Sequence, residues 1–330
     1  MKIKPMTKFA ILALSLVLVA CAGGGSEEAG CPAIDGREIN VVATTPMIGE
    51  FVSQVGGENI NLTVLMPPEA NPHTYEPAPQ DAGTIAEADL VFYTGLLYEP
   101  AALVKLLENS ACSTDILSEV GESVFPIEFK EGGHDDHDDH DDEEGHDDHE
   151  GHNHGAYDPH FWFDPSRVAY AAEYIESRLI QFDPENESSY TSSADSFVSE
   201  LNDLTKQVSE LISTVPSQNR KLITTHESLG YLEAKFGLEV LSTIIPSLNS
   251  ANEISPSDLA GVIDVIEDNN VKVIFIESEA PSVYSETIVA ETGIKPVTGL
   301  YVETLKPGQS YSEFLISNVT LITENLQDTD

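Results

Sequence analysis

The chain has 330 residues, of which 41% are hydrophobic, and it carries 57 acidic against 15 basic side chains for a formal net charge of −42. That balance excludes nucleic acid and anionic lipid headgroups as natural partners, because both are held through cationic surface. Once an export segment is set aside, about 300 residues remain, enough for two domains of ordinary size.

At the N-terminus Lys2, Lys4 and Lys8 precede an uncharged apolar run of 12 residues, Phe9 to Ala20. A membrane-spanning helix needs about 20 residues, so this run reads as a signal peptide over 1–20. Leu18-Val19-Ala20-Cys21 resembles a bacterial lipobox, in which Cys21 is lipidated and becomes the first mature residue. Residues 21–36 would then form a flexible tether holding an exported body at the membrane, with an ordinary cleaved signal as the alternative. Cys31 and Cys112 remain. An even pair in an exported chain points to a disulfide, although two separate thiols are compatible with the spacing.

Strand-like and helix-like runs then alternate, which predicts an α/β fold with mostly parallel sheets. In the first half, strands are expected at 39–43, 61–65 and 90–94, with helices at 46–55, 80–88 and 100–108. The second half repeats the rhythm, with strands at 221–225, 239–244, 271–276 and 296–300. Its helices are expected at 228–236, 256–268, 283–292 and 311–326. Ser255-Pro256-Ser257-Asp258 has the hydroxyl, proline and early acid of a helix start. Between the halves, Phe197, Leu201, Leu204, Val208, Leu211 and Ile212 recur at three and four. They predict one amphipathic helix over 184–215, roughly 45 Å long, that braces an N-terminal lobe (37–183) against a C-terminal lobe (216–330).

Residues 131–154 carry 12 acids and no Lys or Arg, and they hold seven of the ten histidines: His134, His137, His140, His146, His149, His152 and His154. With no hydrophobic period, 131–155 reads as a disordered insertion. It could bind several metal ions weakly and exchange them quickly, or it could be a charged insertion without a required role. His73, His160 and His226 lie in segments that look folded, each beside turn-forming or polar residues near a strand. Carboxyl ends of strands form the ligand crevice of open α/β sheets, so three such histidines can converge on one metal site.

"NPHTYEP" at 71–77, "DPHFWFDP" at 158–165, "THESLGYL" at 225–232, "VIFIES" at 273–278 and "LYVETL" at 300–305 run in order along the chain. As a set they resemble the solute-binding proteins of zinc and manganese ABC importers, the ZnuA-like and TroA-like group. The resemblance implies two similar lobes joined by one long helix, with a metal site in the cleft between them. It implies His73, His160 and His226 as ligands and places the late carboxylate on Glu303. Family members usually show aspartate there, so the reach and denticity of the longer side chain stay open, with water as the alternative fourth donor. It further implies a permease with a cytoplasmic ATPase as partner, and a monomer facing the periplasm or the cell exterior.

A histidine at the third motif points to zinc rather than manganese, since three imidazoles and one carboxylate suit a tetrahedral borderline-soft ion. Glu227, next in the chain, is the competing donor, and Glu277 reads as a supporting or structural acid. Phe161, Trp162, Phe163 and Tyr231 read as packing residues. Alternatives of other classes are a zinc hydrolase or lyase, and a surface metal buffer or adhesin. The hydrolase lacks a His-Glu-x-x-His helix or a nucleophile motif, and a closed four-ligand site leaves a substrate no open position.

Overall fold

The structure, a computed structural model, describes Cys31, Ile34 and residues 36–129, 157–279 and 283–327. The expected signal peptide, Cys21, most of the expected tether and the histidine-rich run 131–155 lie outside the described residues. Among the described residues, no helix is long and apolar enough to cross a membrane.

The first half contains β1 (Ile39–Ala43), α1 (Pro46–Gly56), β2 (Ile60–Val64), α2 (Pro79–Ala86), β3 (Leu90–Tyr93), α3 (Ala101–Ser110), β4 (Leu117–Glu119) and α4 (Pro165–Phe182). Its strands form one sheet in the order β2-β1-β3-β4, and every pairing is parallel. Buried aliphatic runs such as Val41-Val42-Ala43 are what a parallel sheet covered on both faces requires. Thr45 caps α1 by accepting the Ile48 N–H, and Pro46 fills its first turn. Cys31 and Cys112 are joined, with Cα atoms 5.0 Å apart, which ties the start of the described chain to the end of α3.

α5 (Glu187–Ser213) follows, and then β5 (Lys221–His226), α6 (Gly230–Phe236), β6 (Glu239–Ile245), α7 (Pro256–Asp268), β7 (Val273–Glu277), α8 (Val283–Thr292), β8 (Lys295–Leu300) and α9 (Tyr311–Gln327). The strands pair as β5-β6 and β7-β8, both parallel. The Thr225 hydroxyl links β5 to β7 by accepting the Glu277 N–H at 3.0 Å. The helix start at Ser255 is a reciprocal capping box: Ser255 accepts the Asp258 N–H, and the Asp258 carboxylate accepts the Ser255 N–H.

The anticipated long helix is shorter than its hydrophobic stripe suggested, because Pro184–Asn186 forms a separate 3-10 turn. The 27 residues of α5 span about 40 Å at 1.5 Å each. Its buried face, Tyr190, Ala194, Phe197, Leu201, Leu204, Val208 and Ile212, packs on α1 and α4 in the first half and on α9 in the second. One apolar cluster therefore runs without a break from β1 through α5 to α9.

Two elements were not anticipated. α4 buries Val168, Ala171, Ala172, Ile175 and Leu179 at helical spacing, capped by Asp164 with Pro165 in the first turn. β4 is only three residues long and adds the sheet's edge.

Candidate metal centre

His73 lies in a 3-10 turn, Pro72–Thr74, that follows β2. The Asn71 side chain accepts the His73 N–H at 2.9 Å, and its amide reaches across to Ser250 Oγ at 3.0 Å and the Glu279 carbonyl at 3.3 Å. The turn carrying His73 is thereby stitched to the second half of the chain.

His160 stands at the head of a second 3-10 turn, Phe161–Phe163, rather than beyond a strand. Asp158 fixes it twice, accepting the backbone N–H and the ring Nδ1–H of His160, both at 2.8 Å. The three aromatic residues after it are fully buried, as packing residues should be. Trp162 Nε1 donates to the Val302 carbonyl at 2.8 Å, and the Tyr311 hydroxyl donates to the Trp162 carbonyl at 2.7 Å. Those bonds hold the His160 turn against the segment that carries Glu303. Tyr231 is buried too, and its hydroxyl donates to the Asp158 carbonyl at 2.8 Å.

His226 is the last residue of β5 itself, one position beyond the expected end of that strand. Its backbone N–H donates to Glu277 Oε1 at 3.1 Å, and its ring Nδ1–H donates to Glu277 Oε2. Glu227 points elsewhere, accepting from the Thr243 hydroxyl at 3.0 Å.

Glu303 follows β8 and reaches the centre. Its Oε1 lies 3.1 Å from His73 Nε2 and 3.0 Å from His226 Nε2, and its Oε2 lies 3.5 Å from His160 Nε2. The Tyr98 hydroxyl is 2.9 Å from Glu303 Oε2 and 3.0 Å from the Glu303 carbonyl. One donor atom from each of His73, His160, His226 and Glu303 falls within 4.8 Å of all the others. Among the described residues this is the one such group of His, Cys, Asp or Glu. The side chains are 2% exposed at His73 and fully buried at the other three.

Two features make the arrangement suited to a cation. Nε2 of His160 and of His226 are buried with only a Glu303 oxygen beside them and no well-directed hydrogen bond to it, an expensive condition for a polar atom. In both rings the opposite nitrogen donates to a carboxylate, which fixes the tautomer and turns the Nε2 lone pair inward. A tetrahedral zinc shell with bonds of about 2.0–2.1 Å has donor edges of about 3.4 Å, close to the separations seen around Glu303.

In the metal-free site the same carboxylates favour a proton on each ring, which a bound cation must displace. Burial opposes charge on His226, but Glu277 and Glu303 outweigh it and raise its pKa well above 6.5. His160 is raised in the same way, by Asp158 and Glu303 against burial. Burial alone would raise Glu303; facing His73 and His226 hold it well below the usual carboxylate range. Glu279, whose Oε1 accepts the Val302 and Glu303 N–H groups, is pushed up to about 8, by burial first and then by Glu303 and Glu277.

All four residues singled out in the sequence come together, two from each half. Asp158, Tyr98 and Glu279 were missed. The Asp-x-His spacing of Asp158 and His160 was a readable signal, whereas nothing local marks Tyr98.

The family described as "ZnuA: Zinc-uptake complex component A periplasmic" matches residues 41–325. The chain is 29% identical to the high-affinity zinc uptake system protein ZnuA of Bacillus subtilis over 328 residues, 96% of each chain. It is 23% identical to the manganese-binding lipoprotein MntA of Halalkalibacterium halodurans over 324 residues, 96% of this chain and 97% of that one. Its fold is similar to that of the periplasmic zinc-binding protein TroA of Treponema pallidum, at a TM-score of 0.75 and 22% identity over 88% of this chain and 99% of the other.

Proposed function

The chain belongs to the zinc-uptake complex component A family of metal-binding, substrate-binding components of ABC importers, and from that premise we propose that its cargo is zinc. As a family member it is a binding protein rather than an enzyme, and it works with a permease and its ATPase. In this reading the ion is held by Nε2 of His73, His160 and His226 and by the Glu303 carboxylate.

The observation that carries the reading is the donor set: three imidazole nitrogens and one carboxylate, buried and within 4.8 Å of one another. Borderline-soft zinc takes such a tetrahedral nitrogen-rich shell, while manganese favours more oxygens and a higher coordination number. The position of Glu227, turned to Thr243, supports His226 as the third donor. Manganese is the second reading, favoured by relatives named for that ion, such as MntA.

We further assign residues 1–20 as a signal peptide and Cys21 as a lipid anchor, so that a monomeric body faces the periplasm or cell exterior with 37–183 and 216–330 as lobes about 184–215. The histidine-rich run 131–155 then acts as an accessory that gathers ions weakly near the site.

Competitive titration tests the assignment on protein lacking 131–155. One equivalent of zinc should bind in a large excess of manganese, and His160→Ala should weaken zinc by more than roughly 100-fold, beyond the loss expected from removing a mere supporting partner. Manganese holding the site, or tight zinc binding vanishing with the run, would overturn it.

A further inference from the structure

The sequence leaves open whether Glu303 would offer one oxygen or two, and position alone does not decide it. Oε1 approaches His73 and His226, and Oε2 approaches His160, so both oxygens border the space enclosed by the three imidazoles. A neighbour distinguishes them. The Tyr98 hydroxyl donates to Oε2 at 2.9 Å, and Oε1 has no such donor apart from the imidazoles.

The same hydroxyl lies 3.0 Å from the Glu303 carbonyl, so Tyr98 faces both the backbone and the carboxylate of that residue, with Oε2 the nearer acceptor. Tyr98 is 1% exposed. Its ring meets His73 edge-on at 5.0 Å, His160 at 5.8 Å and Trp162 at 5.3 Å, so it forms one wall of the site. The turn before it is unusual: Gly95, Leu96 and Leu97 all have positive φ, at 77°, 53° and 63°. Leucine pays about 1–2 kcal/mol for that conformation, so the surroundings must impose it. Two carboxylates do so. Glu99 accepts the N–H groups of Thr94 and Gly95, and Glu119 accepts that of Leu96. Backbone strain of this kind collects where a side chain must be held in a set place.

Resting on the zinc reading above, we infer that Tyr98 is a specificity-determining residue that engages Glu303 Oε2, leaves Oε1 alone to meet the ion, and so keeps the shell four-coordinate. A carboxylate held to one oxygen gives three nitrogens and one oxygen, which zinc accepts and manganese does not favour. A carboxylate free to bind through both oxygens would give a fifth donor and an oxygen-richer shell, moving the site toward manganese. The hydrogen bond to an ionised acceptor is also of the stronger kind, which is what denying an oxygen to a divalent ion requires.

Tyr98→Phe is the test, because it keeps the ring and its edge contacts and removes only the hydroxyl. One equivalent of cobalt(II), whose visible band is intense in a four-coordinate tetrahedral shell and weak in higher coordination, is added to the full chain and to the variant. The zinc-over-manganese preference of each is measured by competition. The wild type should show the intense band. Tyr98→Phe should weaken the band and reduce the zinc preference by roughly 10- to 100-fold, the range for loss of a partner that orients a ligand.

An unchanged band and unchanged preference in Tyr98→Phe would overturn the inference, as would a weak band in the wild type. A wild type that prefers manganese while Tyr98→Phe still weakens the cobalt band would sink the zinc reading and leave the role of Tyr98 standing.

Discussion

Each imidazole with an unpartnered Nε2 is backed by a carboxylate on its other nitrogen: Asp158 behind His160 and Glu277 behind His226. Removing such a partner leaves the ligand in place but loosens its ring and lowers its basicity. Asp158→Asn and Glu277→Gln should each weaken zinc by roughly 10- to 100-fold while keeping one ion per chain, as read by competitive titration. Protons compete for the same nitrogens. In the metal-free protein the raised pKa values of His160 and His226 contribute stability fully present below the ordinary histidine value, lost as pH rises through the folded values. Glu303, held low, contributes stability present above the ordinary carboxylate value and lost as pH falls through its folded value. These three groups therefore contribute most between about pH 4.5 and 6.5, while the raised Glu279 costs stability progressively from about pH 4.5 to 8, so the metal-free chain should weaken as pH rises above 6.5. Zinc needs neutral imidazole, so its binding should release protons, and the rise in melting temperature that it causes should grow from pH 6 to pH 8. A zinc-induced shift that shrinks as pH rises would contradict the charge assignments.

At the scale of elements, the Gly95–Leu97 turn shows what the sequence hides. Leu97 is 64% exposed, so it gains little from burial while bearing left-handed strain. Leu97→Gly should raise stability by about 0.5–1 kcal/mol without changing metal affinity, read from the denaturant midpoint. Gly95→Ala should do the reverse, because its Cβ would come within 2.1 Å of the Glu119 side chain. No local pattern in "TGLLYEP" announces three left-handed residues; the carboxylates that impose them come from Glu99, four residues on, and Glu119, on another strand. The regular elements were far more legible. α7 falls where its hydrophobic period and capping box put it, because those signals are local, and α8 also covers the expected range. α4 was equally readable, with Asp164-Pro165 as its start and apolar residues at three and four. Of the site, the ligands were legible through motif order and the resemblance it carries. Of the supporting groups, Glu277 was read as a supporting acid and backs His226, whereas Tyr98 meets Glu303 only through tertiary packing.

At the scale of the molecule, two ligands come from each side of α5, and one continuous core joins both sides through it. A helix packed on α1, α4 and α9 together resists the wide opening that a pair of extended linkers would permit. Ion entry and exit would then use small displacements of the loops around the site, such as the turn carrying His73, which is tied across the centre by the Asn71 side chain and by His73 Nε2 at Glu303 Oε1. The strong negative charge of the chain suits this task, because it raises the local concentration of cations around a buried site. In the proposed function one buried shell, and not the histidine-rich run, holds the ion. The most direct test is anomalous diffraction at the zinc edge from crystals of the full chain carrying one equivalent of zinc. The account predicts a single strong peak bonded at about 2.0–2.1 Å to Nε2 of His73, His160 and His226 and to one oxygen of Glu303. A peak bonded instead to Glu227, or no peak between the three imidazoles, would contradict it.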